Sequence, residues 1–123
     1  MKLRLEGNSI RLRVRKSDLA NLLKNGTIME TLTFPNQLVF NYQLNADKNA
    51  TEITALLSNA GIFITLPFSQ TQLWIQSNEV GIEATLSSGL FILIEKDFPC
   101  KDRPWEDTAD TFFELTDNDS TKC

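Results

Sequence analysis

The chain has 123 residues and 41% hydrophobic side chains, which suits one folded domain with its own core. It contains no histidine, which excludes Ser-His-Asp and Cys-His catalysis and histidine-ligated metal or haem. Its net charge of −4 argues against a nucleic-acid partner, because phosphate binding needs a basic surface. The first residues alternate instead of forming a signal peptide, and no apolar run is long enough to span a membrane. We therefore expect a cytoplasmic protein without membrane association.

The first half of the chain predicts four strands and one short helix. Two segments of alternating apolar and polar residues, typical of strands, are separated by Gly7 and Asn8. Ser17 is expected to cap a helix whose apolar positions recur at three- and four-residue intervals, and Gly26 is a good helix stop. The predicted strands are residues 2–6, 9–15, 27–34 and 37–45.

The second half repeats this pattern at a constant offset of 52 residues. The apolar alternation that begins at Ile10 returns at Ile62, and a second helix is expected behind Ser69. Pseudo-repeats are therefore predicted over residues 10–44 and 62–96. A strand is also predicted at 51–58, although its Glu-Ile-Thr-Ala-Leu-Leu segment is compatible with a helix. It has no second copy, because its counterpart would be residues 103–110, which have no strand pattern. The strands predicted here are residues 51–58, 62–67, 79–86 and 90–97.

These elements predict a single α+β domain over residues 1–97. We expect a strongly curved or barrel-like antiparallel sheet of seven or eight strands that carries two short helices. Residues 98–123 form an acidic tail that also contains four aromatic residues, which a purely solvating tail lacks. We expect this tail to dock on the domain in part, with a flexible end. The aromatic residues are Phe98, Trp105, Phe112 and Phe113.

Four arginines near the N-terminus form the first candidate site. Arg11, Arg13 and Arg15 alternate along one predicted strand, so their side chains lie on one face about 7 Å apart. Arg4 lies on the preceding segment. Guanidinium groups bind phosphates and carboxylates well. The alternative is an ordinary outer sheet face on which neighbouring glutamates neutralise the arginines. Those glutamates are Glu52, Glu79, Glu83 or Glu95.

Acidic side chains around the start of the tail form the second candidate site. Several carboxylates together are able to hold Mg²⁺ or Ca²⁺, although their spacing matches no EF-hand. The alternative is a solvated acidic tail. The candidate metal ligands are Glu95, Asp97, Glu106, Asp107 and Asp110.

Several short sequence strings near both ends of the chain carry a family resemblance. They are Met1-Lys2-Leu3-Arg4, Gly7-Asn8-Ser9-Ile10-Arg11-Leu12-Arg13, Val80-Gly81-Ile82 and Ile94-Glu95-Lys96-Asp97-Phe98-Pro99-Cys100, continued by Arg103, Glu106-Asp107 and Asp110-Thr111-Phe112. Through them the whole chain resembles a family of small, uncharacterised bacterial proteins. The resemblance implies a domain of unknown function, and it brings no catalytic residue with it.

The doubled arrangement of strands and helices is also similar, at the level of fold, to CYTH-like triphosphate tunnel proteins. That fold is an antiparallel barrel whose charged lumen binds polyphosphate. Its ExExK signature in the first strand is replaced here by Lys2-Leu3-Arg4-Leu5-Glu6. The similarity implies, as an alternative function, a small metal-dependent phosphohydrolase with a tunnel.

The favoured function is a non-enzymatic binding or regulatory domain without a cofactor. Its arginines would receive an anionic, phosphate-like ligand or an acidic protein segment. Residues 1–25 carry a net charge of +5 and residues 51–123 a net charge of −8, so we also expect the tail to cover the arginines in the free protein. Under the phosphohydrolase alternative, the carboxylates would bind Mg²⁺ or Ca²⁺. A third class is a scaffold whose role is assembly.

Overall fold

The structure is a computed structural model that describes residues 1–97. It confirms the α+β class, with eight strands and two short helices. The strands are β1 (Lys2–Glu6), β2 (Ser9–Val14), β3 (Thr27–Thr33), β4 (Val39–Asp47), β5 (Thr54–Ser58), β6 (Gly61–Pro67), β7 (Gly81–Thr85) and β8 (Phe91–Lys96). The helices are α1 (Lys16–Asn25) and α2 (Phe68–Gln76).

The strands form two four-stranded sheets, which differs from the single antiparallel sheet expected from the sequence. Sheet A has the order β1-β2-β8-β7 and sheet B the order β3-β4-β6-β5. Each sheet consists of two antiparallel hairpins joined by a parallel central pair, β2 with β8 or β4 with β6. Each helix carries the chain from one sheet to the other. Each sheet therefore combines one hairpin from the first half of the chain with one from the second half. Over residues 1–97 neither sheet closes into a barrel.

Both halves of the described chain have the same element order, strand-strand-helix-strand-strand. The strand β5 begins the second half, where it stands 52 residues after β1 and pairs with β6 as β1 pairs with β2. This corrects the sequence-based search, which looked for the counterpart of that strand in the tail instead of at the N-terminus. Common descent of the two halves stays a prediction.

The two parallel pairings break this correspondence by two residues. In sheet A, Ser9 is level with Phe91. Its counterpart in sheet B, Gly61, is level with Asn41 instead of Val39. The β3–β4 hairpin is therefore displaced along sheet B by about 7 Å, two residues at the strand rise, toward its own turn. Gly61 has a φ of 140°, and a Cβ atom there would collide with the backbone carbonyl of Asn41, so this register depends on glycine.

The sheets and helices share one hydrophobic core. The inner faces of the central strands are almost fully buried, as alternation predicts, and α1 and α2 each add two buried side chains at equivalent positions. The buried core residues of the central strands are Ile10, Leu12, Val14, Leu44, Ala46, Ile62, Ile64, Leu66, Ile92 and Ile94, and those of the helices are Leu19, Leu22, Thr71 and Trp74.

The N-caps of both helices lie two residues before the expected serine caps. The N-cap of α1 is Arg15, whose backbone N–H donates to the carboxylate of Asp18 at 2.9 Å. The helix α2 begins at Phe68, directly after Pro67. Ser17 lies inside the first turn of α1 and does not cap it. Asp18, at the third helical position, accepts the backbone N–H of the N-cap residue Arg15.

All hairpin turns lie at one end of the domain and both helices at the other. The turns are neighbours within each sheet, since Phe91 N–H donates to Asn8 O at 3.0 Å and Asn41 N–H to Ala60 O at 2.8 Å. The opposite ends of the two sheets meet at the N-terminus, where the Met1 ammonium lies 3.1 Å from Glu30 of β3. We call these the turn end and the helix end. No helix of the described region has the length and apolarity needed to cross a membrane.

Candidate functional site

Three of the four predicted arginines lie together on the outer face of sheet A. Their neighbours in sequence, including Leu3 and Leu12, point inward, so alternation turns the basic side chains away from the core. Across the β1–β2 hairpin, Arg4 is directly opposite Arg11, and Lys2 is directly opposite Arg13. We call the outer face formed by Lys2, Arg4, Arg11, Arg13, Phe91, Leu93 and Glu95 the arginine face.

Glu95 of β8 lies between two of these arginines. Its Oε1 atom is 2.8 Å from both Arg11 Nε and Arg13 Nε, and the residue is only 5% exposed although it faces away from the core. A buried carboxylate is costly unless cations and hydrogen bonds compensate it. Arg11 and Arg13 supply that compensation, as the outer-face alternative predicted for these two arginines.

The carboxylates proposed as metal ligands also face cations. Asp97 Oδ2 lies 3.2 Å from Lys2 Nζ, and Asp97 Oδ1 lies 4.0 Å from Arg13 Nη1. Between residues 1 and 97 there is no group of three or more acidic, cysteine or histidine side chains able to hold a metal ion. The remaining predicted ligands, Glu106, Asp107 and Asp110, lie outside the described residues. The described part of the chain thus gives the metal-dependent alternative no support.

Arg15 is separated from the other arginines by the end of β2. It is the N-cap residue of α1 and is exposed to solvent. Partial burial raises the pKa of Asp18, but the hydrogen bond from the Arg15 backbone and the nearby Met1 ammonium outweigh this and hold that pKa below its ordinary value. Arg15 therefore belongs to the helix end, and its guanidinium adds a smaller effect in the same direction.

Arg4 and Arg11 border a small pocket on the arginine face. The pocket has a volume of about 180 Å³, and Phe91 and Leu93 of β8 contribute apolar lining. Arg4 is exposed and makes no ion pair with any residue from 1 to 97. Ser9, Ile10 and Glu6 complete the lining. The pocket thus combines an available guanidinium with an apolar wall.

A second polar cluster at the helix end was not predicted from the sequence. The Met1 ammonium is almost fully buried and lies 3.0 Å from Asp18 Oδ2 and 3.1 Å from Glu30 Oε1. The Tyr42 hydroxyl donates to Glu30 Oε2 at 2.8 Å, and this hydrogen bond, together with the Met1 ammonium, holds the pKa of Glu30 below its ordinary value. The signal was present in the repeat comparison, where Glu30 aligns with the buried residue Ile82.

A family comparison agrees with the expectation of an uncharacterised family. Residues 1–115 match a family model described as "Family of unknown function (DUF7009)". The chain belongs to this family. The match covers both sheets and both helices of the DUF7009 chain. No curated protein and no solved structure matches it significantly. The function of this DUF7009 domain must therefore be argued from its own side chains.

Proposed function

We propose that the domain is a non-enzymatic binding module that receives an acidic peptide segment on the arginine face. The observation that carries the proposal is the pocket between Arg4 and Arg11. Arg4 is directly opposite Arg11 in the hairpin, so both arginines border one apolar-walled cavity. Charge-assisted hydrogen bonds between guanidinium and carboxylate are the strong ones among side chains.

An acidic peptide suits this pocket better than a free phosphate. Phe91 and Leu93 offer apolar contact that a phosphate ion does not use, whereas an apolar side chain of a peptide does. The geometry with which Glu95 meets Arg11 and Arg13 supports a carboxylate ligand, because it shows how a carboxylate fits between neighbouring guanidiniums on this face. The partner segment would therefore place a carboxylate at Arg4 and an apolar or aromatic side chain against Phe91.

The chain's own tail is a second occupant that the proposal includes. The described chain ends at Asp97, whose side chain meets Lys2 and Arg13 on the arginine face. The tail of residues 98–123, which lies outside the described residues, carries both acidic and aromatic side chains. We propose that it competes in cis with an external acidic segment, which would make the domain regulatory.

A peptide-binding measurement on the full chain tests the site. The probe is a fluorescein-labelled peptide with the sequence of residues 104–115, which contains four acidic and three aromatic residues. We expect Arg4→Gln to weaken its binding about tenfold, since a hydrogen bond to a charged group contributes about 1.5 kcal/mol or more. Fluorescence anisotropy gives the dissociation constants. The matched control is Lys24→Gln, which removes one exposed positive charge from the end of α1.

Three outcomes separate the alternatives. The proposal is supported if Arg4→Gln weakens peptide binding and Lys24→Gln does not. It also requires that a peptide with Asn and Gln in place of the acidic residues does not bind. An equal loss in Lys24→Gln would indicate a general charge effect and contradict it. If inorganic phosphate displaces the peptide at a similar concentration, the ligand of this site is a small anion and not a peptide.

A further inference from the structure

The turn end of the domain exposes an unusual number of apolar side chains. Five of them lie on the inner faces of the sheets, as their pairing with inward-facing partners shows: Leu5 pairs with Ile10, and Leu57 with Ile62. Although they face inward, they lie at the turn end and stay exposed. Their exposed fractions are 58% for Leu5, 46% for Leu32, 49% for Phe34, 67% for Leu38 and 75% for Leu57.

The two-residue register difference explains why sheet B is the more exposed. The turn residues Phe34 and Leu38 correspond to Leu86 and Leu90 at the β7–β8 turn, and both turns have the same backbone hydrogen bonds. Leu86 and Leu90 are partly buried and pack against the core. The displaced β3–β4 hairpin carries Phe34 and Leu38 beyond the core instead. An apolar hairpin tip thus protrudes from the turn end.

The turns around these apolar residues contain no charged side chain. Their sequences are Gly7-Asn8, Phe34-Pro35-Asn36-Gln37-Leu38, Asn59-Ala60 and Leu86-Ser87-Ser88-Gly89-Leu90. Glu6, at the end of β1, is the charged residue that adjoins them. Because the turns carry no basic residue, their apolar side chains do not attract an acidic peptide, a nucleic acid or an anionic membrane surface. An apolar centre with a neutral polar rim is instead typical of protein–protein interfaces.

We propose that the turn end is a two-fold symmetric interface between two copies of this chain. A two-fold contact needs a surface that is complementary to itself. The turn end has both required parts, the protruding tip with Phe34 and Leu38 and the recessed positions Leu5 and Leu57, whose strands are joined by the short turns Gly7-Asn8 and Asn59-Ala60. Residues 1–97 carry nine basic and nine acidic side chains, so their net charge does not oppose contact between two copies at this neutral end.

The oligomeric state of the full chain tests this inference. Sedimentation velocity and light scattering over about 1 to 200 µM protein should show the mass rising from 13.9 kDa toward twice that value. We expect Leu38→Glu to weaken dimerisation at least tenfold, because it buries a charge in an apolar contact. The matched control is Leu73→Glu on α2, since Leu73 is 70% exposed and lies at the helix end. Circular dichroism verifies that both variants are folded.

Salt dependence separates this interface from one formed by the arginine face. An apolar contact keeps or gains strength between low and high sodium chloride concentration, whereas ion pairs between charged faces weaken. Dimers that are lost in Leu38→Glu, kept in Leu73→Glu and stable in salt support the proposal. A monomer throughout the concentration range would overturn it, as would dimers that both variants weaken equally. If the protein is a monomer that binds neutral lipid vesicles, and Leu38→Glu abolishes this binding, the turn end contacts lipid and the dimer proposal is wrong.

Discussion

Tyr42 shows how one residue links the N-terminus to the core of sheet B. Its hydroxyl donates to Glu30 at 2.8 Å, and the same hydroxyl lies 3.3 Å from the Met1 carbonyl oxygen. Burial and then the neighbouring Glu30 carboxylate raise the pKa of Tyr42 to about 12 from an ordinary value of 10.0. The fold therefore favours the neutral phenol. Its contribution to stability is complete below pH 10 and is lost as the pH rises toward 12.

Titration of the phenol provides a direct test at this scale. Tyr42 is the only tyrosine in the chain, so the phenolate absorbance reports on this residue alone. We expect a midpoint near pH 12 in the native protein and near pH 10 in urea. Glu30→Gln removes the neighbouring negative charge and should move the native midpoint toward 10. A native midpoint at the urea value, with circular dichroism showing a folded protein, would contradict the described contact.

Residue-level prediction succeeded where a pattern was local. The alternation of Ile10, Leu12 and Val14 correctly identified their buried face. Alternation also placed Arg11 and Arg13 correctly on one outer face, whereas Arg15, predicted in the same row, is the N-cap of α1. The sequence did not indicate which carboxylate approaches them, since Glu95 reaches Arg13 through a parallel pairing between strands 82 residues apart.

At the scale of elements, the two helices end in different ways, and the difference explains a position at which the repeat pattern fails, Lys96 against Leu44. The helix α1 ends at Gly26 in the left-handed conformation, with its N–H bonded to Leu22 O. The helix α2 has no such glycine, and the Lys96 ammonium instead donates to the carbonyl oxygens of Trp74 and Ser77 at 3.1 and 2.7 Å. A cation at a helix C-terminus also interacts favourably with the helix dipole. The basic residue that replaces Leu44 in the repeat therefore has a structural role.

The register of β4 and β6 gives the prediction for this scale. We expect Gly61→Ala to destabilise the domain by about 3 kcal/mol or more, since the new Cβ atom meets the Asn41 backbone and the φ angle disfavours it. The control is Gly7→Ala, which is also left-handed but has no atom within 4 Å of the added Cβ. It should cost only about 1 kcal/mol. Urea unfolding, followed by circular dichroism, measures both.

Equal costs for the two alanine variants would contradict this account of Gly61. A native-like but displaced pairing would appear instead as altered cross-strand contacts between β4 and β6 in nuclear Overhauser spectra. A two-residue shift preserves which side chains face the core, so such a rearrangement is compatible with the alternation of both strands.

The order of the strands was not accessible from the sequence, although most element positions were. The segments 2–6 and 9–15 were found nearly as predicted, because alternation is a property of neighbouring residues. A parallel pairing such as β2 with β8 depends on long-range contacts that leave no local periodicity. Two sheets built from crossed hairpins therefore replaced the single sheet that the hairpin pattern predicted.

On the scale of the whole molecule, charged and apolar surfaces are separated. The arginine face offers cations for an acidic segment, and the turn end offers neutral apolar contacts for a second copy. These two surfaces respond to salt in opposite ways, and each has its own variant, Arg4→Gln or Leu38→Glu. The two proposed contacts can therefore be tested independently.

Removal of the tail tests the proposed competition in cis. A chain of residues 1–97 should bind the acidic probe peptide at least about threefold more tightly than the full chain, because a tethered competitor acts at high effective concentration. A chain of residues 1–115 serves as the control, since it keeps the aromatic residues and should bind like the full chain. Unchanged affinity after the longer deletion would reject the competition. Anisotropy titrations at low salt measure all three proteins.

The crossed arrangement of hairpins has a consequence for synthesis of the chain. The β1–β2 hairpin cannot pair with β8 until that strand has been synthesised, since paired residues such as Ser9 and Phe91 are 82 positions apart. The β3–β4 hairpin likewise pairs within sheet B only after β6 has been made. No stretch shorter than nearly the whole domain closes sheet A. Completion of sheet A is therefore a late event that follows translation of residue 96, and a ribosome stalled after β6 would hold a complete sheet B beside a β1–β2 hairpin with an open edge.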